Sequence, residues 1–214
     1  MRLAVDPRDG AVRLTIPRRA SEERARFWAE QQRGWIEGQL AVLPLPRPIL
    51  PGAIIPYRGE EVSIDWSATA PRTPRLVEND LAERRLVVGG PIEGLSRRVV
   101  TWLRREALTL LTMETAQIAA AAGVTVSRVS IGDPRTRWGS CSASGDIRYA
   151  WRLILAPPFV LTATVAHEVA HRLHMDHGAD FRAAEARLLG CSPAAARLWL
   201  RERGAALYWV GCGG

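Results

Sequence analysis

The stretch His167-Glu-Val-Ala-His-Arg-Leu-His-Met-Asp-His177 holds all four histidines of a 214-residue chain. Histidine is the commonest side-chain metal ligand and the one side chain that titrates near neutral pH. Confining every copy to eleven consecutive positions points to a metal site. His167 and His171 are four apart, so on a helix both rings leave one face and can share an ion. Glu168 lies between them, where its carboxylate can reach water beside that ion. This HExxH order is the metalloprotease helix, with two ligands and a general base.

Two ligands do not make a catalytic site, because catalytic zinc takes three protein ligands and keeps one open position. His174 and His177 are the candidates for the third. On a straight helix His174 lies about 4.5 Å further along the axis than His171, a poor reach for an ion held between the first two rings. His177 falls beyond the expected helix end, and Gly178 after it is free to adopt the backbone that folds the ring back. His177 is the better candidate, and His174 is left to a positioning or surface role. The spacing HExxH, five residues, His also occurs in metzincins. Those proteins need glycine where this chain has His174, and a downstream methionine turn. The only methionines are Met1, Met113 and Met175, so that family does not fit.

Working outward from the motif, Pro157-Pro158 opens the helix that carries the histidines, at a position where proline is tolerated. Before it, "RWGSCSASGDIRYAWRLIL" predicts a hairpin turning at Ser144-Gly145-Asp146, and "VTVSRVSIGD" a strand ending at Asp133-Pro134. Residues 95–122 predict a long amphipathic helix stopped by Gly123. Gly190 and Gly204 stop two further helices, the second starting near Ser192-Pro193. Upstream, "RLAVDPRDGAVRLTIP" predicts a hairpin around Asp9-Gly10, and "SEERARFWAEQQRGWIEGQLAVL" a helix capped by Ser21. The prolines of "PLPRPILPGAIIP" forbid a helix and predict an extended connector, followed by short strands over about 57–89. The expected class is α+β. Residues 1–90 form a β-rich N-terminal part with the proline connector, and residues 91–214 the catalytic domain.

The stretch from Arg137 to Phe181 resembles the YgjP-like metallopeptidase family, a zincin group similar to the SprT-like proteases. The likeness rests on "RWGSC" at 137–141, on "WRLILAPP" leading into the helix, and on the HxxxF ending at His177–Phe181. It extends weakly to "DPRDGAVRLTIP". The resemblance implies a zincin-like catalytic domain, with His167, His171 and His177 holding Zn²⁺ and Glu168 as the catalytic residue. Gly178 departs from the serine expected there.

Cys141 could close the site as a fourth ligand, but that would remove the open position catalysis needs. Cys141 and Trp138 are therefore expected to be packing residues. The hairpin of 136–151 is placed to offer a strand edge to an extended peptide, which points to a peptide or protein substrate. An alternative enzyme class is a metal-dependent nucleotide phosphohydrolase. It draws on Arg128, Arg135, Arg137, Arg148 and Arg152, since arginine suits phosphate. A third class is a nucleic-acid-associated protein with structural zinc, which the HExxH order disfavours.

Composition sets the background. Apolar residues make up 47% and charged residues 24%, a globular balance. All 29 basic residues are arginine, and the net charge of +7 permits an anionic partner without requiring one. Three cysteines without a CxxC pair predict reduced thiols. The N-terminus has no apolar signal core and no run is long enough to span a bilayer, so a soluble, cytoplasmic protein is expected.

Overall fold

The computed structural model describes residues 1–78 and 83–212. Part of the expected strand region, residues 79–82, lies outside them. The N-terminal hairpin forms as expected, β1 (Arg2–Val5) pairing antiparallel with β2 (Val12–Thr15). Ser21 caps the next helix, its Oγ accepting from the Arg24 N–H at 3.4 Å. The single helix expected here is two, α1 (Glu22–Gln31) and α2 (Arg33–Ala41), separated at Gln32. Apolar spacing keeps helical phase across Gln32, so the break leaves no periodic signature. The proline connector carries one isolated bridge, Arg47 to Val210.

A four-stranded sheet follows, in the order β3 (Ile54–Tyr57), β4 (Glu60–Ser67), β6 (Arg84–Gly89), β5 (Arg75–Glu78). Only the β4–β6 pair is parallel. α3 (Leu95–Ala122) then runs for 28 residues and ends at Gly123, whose φ of 68° is the left-handed conformation glycine adopts without strain. Its buried stripe of Leu95, Val99, Trp102, Leu103, Ala107, Leu111, Thr115 and Ala119 follows helical spacing.

A three-stranded sheet of order β7 (Arg128–Gly132), β9 (Asp146–Ala150), β8 (Gly139–Cys141) places β8 at an edge. β8 and β9 are the expected hairpin. A 3₁₀ turn over Trp151–Leu155, wholly buried, leads into α4 (Pro158–Ala170). α5 (Ala179–Leu189) and α6 (Ala194–Arg203) complete the helices, and a 3₁₀ turn covers Gly204–Trp209. The architecture is α+β, with a β-rich N-terminal part.

One apolar cluster joins Ile55, Val62, Ile64, Leu86 and Val88 of the first large sheet to Leu103, Ile154, Val160 and Val165 further on. The backbone follows the same junction, with Arg58 N–H donating to Ile154 O at 2.7 Å. α4 is buried nearly all round, because α3, α5, α6 and β8 all pack on it. That burial fixes the face carrying the histidines. One polar contact ties α4 to α3, Thr162 Oγ1 donating to Glu114 at 2.9 Å, and another ties α3 to β9, Thr115 meeting the Tyr149 hydroxyl at 3.0 Å.

Candidate metal centre

α4 ends sooner than its pattern suggests. Its last helical residue is Ala170, and His171 is the cap. The chain then turns tightly, with Leu173 N–H and His174 N–H both donating to Ala170 O at 3.0 Å. His174 is thus off the helix, and the expected rise along a straight axis does not apply to it. Its backbone acts instead: the His174 carbonyl accepts from His171 Nδ1 at 3.3 Å. With Nδ1 so engaged, His171 is left with Nε2 as a ligand atom.

His177 comes back to the helix as expected, but not by the freedom of Gly178. The φ of Gly178 is −66°, open to any residue, serine included. The return is made by side chains. Asp176 Oδ1 accepts from Gly178 N–H at 3.4 Å, and Arg182 Nη1 donates to His177 O at 2.7 Å. Phe181, fully buried, then holds its ring 4.6–5.0 Å from the His167, His171 and His177 rings.

The structure brings these three histidines together, with one ligand atom from each within 4.8 Å of the others. Nε2 of His177 lies 3.3 Å from Nε2 of His167. An ion with nitrogen ligands at about 2.05 Å in tetrahedral geometry would separate them by about that distance, so the donor set fits zinc. Cys141 stays outside the cluster. It is part-buried against the apolar core, and that burial raises its thiol pKa, as a packing residue requires.

Each remaining group has a defined condition. His167 Nδ1 bonds to Glu185 Oε1 at 2.9 Å, and the other oxygen of Glu185 takes Arg197. Burial lowers the pKa of His167, opposed by that hydrogen bond to Glu185. Burial, then the neighbouring His167, lowers that of His171. Both shifts favour neutral rings able to bind a cation. Glu168 is only 4% exposed, and its Oε2 has no hydrogen-bond partner among the described residues. Burial pushes its pKa up to about 7, against a lowering by Arg137.

Above Glu168 lies the edge strand. A Cβ on Gly139 would stand 2.3 Å from Glu168 Oε1, so only glycine lets β8 pass this close. Arg137, Trp138, Gly139, His167, Glu168 and Leu200 help to line a cavity of about 240 Å³ beside the histidines.

A family model describing the YgjP-like metallopeptidase domain matches residues 1–203. The chain belongs to that family. No curated protein and no solved structure matches the chain significantly. Membership makes the protein a metallohydrolase of the metallopeptidase type, and implies a metal. Among the described residues, no helix is long and apolar enough to cross a membrane.

Of the arginines before α4, two have structural partners that the sequence does not reveal. Arg152 is buried, bonded to Asp133 at 2.9 Å and to the carbonyls of Leu207 and Val210. Arg135 pairs with Asp9. Arg137 and Arg148 instead share a small recess with Asp133 and Ser140. Glu185 was absent from the candidates read from the sequence. Its one signal was its place four residues after Phe181, on the buried face of α5.

Proposed function

We propose that this YgjP-like protein is a zinc-dependent peptidase, with His167, His171 and His177 as metal ligands and Glu168 as general base. The observation that carries it is the unpartnered Oε2 of Glu168, buried one residue from His167. A buried carboxylate oxygen without a donor is costly unless a reactant supplies one. Bound zinc would supply a Lewis acid that polarises a carbonyl and acidifies water. Glu168 accepts the proton on Oε2 and can return it to a leaving amine. Glu185 holds the His167 ring through Nδ1 and the His174 carbonyl holds His171, so both present Nε2. The edge position of β8 next to Glu168 suits an extended peptide pairing with it through main-chain hydrogen bonds. The substrate is accordingly a peptide or protein. The three cysteines are free, in keeping with the cytoplasm, to which we assign the protein.

A nucleotide phosphohydrolase is the alternative, favoured by Arg137 and Arg148 beside the site, neither in an ion pair among the described residues. One experiment separates the readings. Zinc content is measured for the wild type and Glu168→Gln, and both are assayed on an unfolded protein and on nucleoside triphosphates. Proteolysis by the zinc-loaded wild type, lost in Glu168→Gln, supports the peptidase. Hydrolysis of triphosphates alone transfers the mechanism to the other substrate. Zinc without hydrolysis of either substrate leaves a structural site.

A further inference from the structure

Among the described residues, two buried side-chain polar atoms lack a hydrogen-bond partner, Glu168 Oε2 and Arg98 Nε. The first belongs to the metal centre. The second lies far from it, in the first turn of α3, roughly 24 Å along the helix from the Glu114 contact with α4. Arg98 is held against the turn entering the helix. Its Nη2 donates to Pro91 O at 2.6 Å, and its Nη1 leaves no room for a Cβ on Gly94.

Arg98 shares a recess of about 260 Å³ with Arg72, Arg97 and Arg105, beside Thr101 and Trp102. Arg98 and Arg105 are two helical turns apart, so they project from one face with Thr101 between them. Arg72 arrives from a different element, the loop between β4 and β5, where its stem packs over Gly90. None of the four arginines makes an ion pair among the described residues. Arginines of the adjoining sheet behave otherwise: Arg84 pairs with Glu60 and Glu78, and Arg85 with Asp65. The start of α3 adds the positive end of its dipole.

A solvated basic helix face would let its guanidiniums spread into water. Here two elements converge on a recess, one guanidinium is partly sealed, and no carboxylate lines it among the described residues. Several anionic oxygens in succession would satisfy that arrangement, and the guanidinium fork matches phosphate oxygens two at a time. We infer that the recess formed by Arg72, Arg97, Arg98 and Arg105 binds a ligand carrying consecutive phosphate groups. Such groups come from a small oligophosphate or from the backbone of a nucleic-acid strand.

The test uses the zinc-loaded full chain at roughly 50 mM salt, where phosphate contacts are strongest. Calorimetry follows inorganic tripolyphosphate, and anisotropy follows labelled single-stranded oligonucleotides of increasing length. Arg97→Gln/Arg105→Gln and, separately, Arg72→Gln should each weaken binding by roughly tenfold or more. Arg201→Gln/Arg203→Gln removes the same charge from α6 and should leave binding intact. Affinity rising with oligonucleotide length identifies a strand as the ligand. Full displacement by tripolyphosphate without length dependence identifies the small oligophosphate. Absence of binding by either ligand overturns the inference. So does an equal loss in the α6 variant.

Discussion

Glu168 of α4 and Glu185 of α5 are the two most thoroughly buried carboxylates described here, 4% and 2% exposed, and they stand in opposite conditions. Glu185 has both oxygens engaged, one by His167 and one by Arg197. Glu168 has Arg137 nearby as a charge and an oxygen with no donor among the described residues. The same side chain thus serves two ends within one site. A carboxylate whose bonds are complete fixes the ring it holds, and one left incomplete is where the proposed mechanism places the reacting proton.

Substitutions can break or sharpen that contrast. The largest effect is expected from Glu168→Gln, which keeps size and one acceptor but removes the proposed base. Hydrolysis should fall by ~10²–10⁴-fold while zinc content stays at the wild-type level. Unchanged turnover would show that Glu168 is not the base. Next comes His177→Ala, which removes a proposed ligand and should strip most zinc during dialysis, read by elemental analysis. Glu185→Ala should then weaken zinc binding by ~10–100-fold, measured by competition with a chelator, because His167 loses the partner of its Nδ1. Glu185→Gln, which can still bond that nitrogen, should recover part of the loss. An affinity unmoved by either change would make Glu185 a packing residue only. Arg197→Gln should cost a few-fold at most, since its side chain is half exposed and screened. His174→Ala should leave zinc retention unchanged, because the backbone carbonyl and not the ring meets His171. Zinc lost in His174→Ala and kept in His177→Ala would reverse the choice of third ligand.

The difference between the two carboxylates is also a difference in legibility. Glu168 is readable because its partners are local, a histidine on one side and another three positions on. The limits of α3 are readable for the same reason, set by a continuous apolar stripe and by Gly123. Glu185 is settled by tertiary contact, eighteen residues from His167 and twelve from Arg197, and no periodicity carries such a pairing. Arg152 misleads in the same way. Its neighbours in sequence suggest an anion-binding group, yet its partners are Asp133 and carbonyls more than fifty residues away. The early end of α4 and the turn at Asp176 rest on hydrogen bonds that other residues could equally have made. Position was therefore legible for the histidines, whereas the means of holding them was not.

The 3₁₀ turn after α6 has a consequence for anyone transplanting this domain. The family match stops at residue 203, but Leu207 and Val210 accept from the buried Arg152, the Tyr208 hydroxyl bonds Pro134 O, and the Trp209 indole reaches Pro7 O at 2.8 Å. A chimera cut at the family limit would keep the Arg152 guanidinium and discard two of its acceptors. Each orphaned contact of that kind costs about 1–3 kcal/mol, and more where a charge is involved. The graftable unit is thus longer than the matched one, and its last few residues travel with the buried turn that leads into α4.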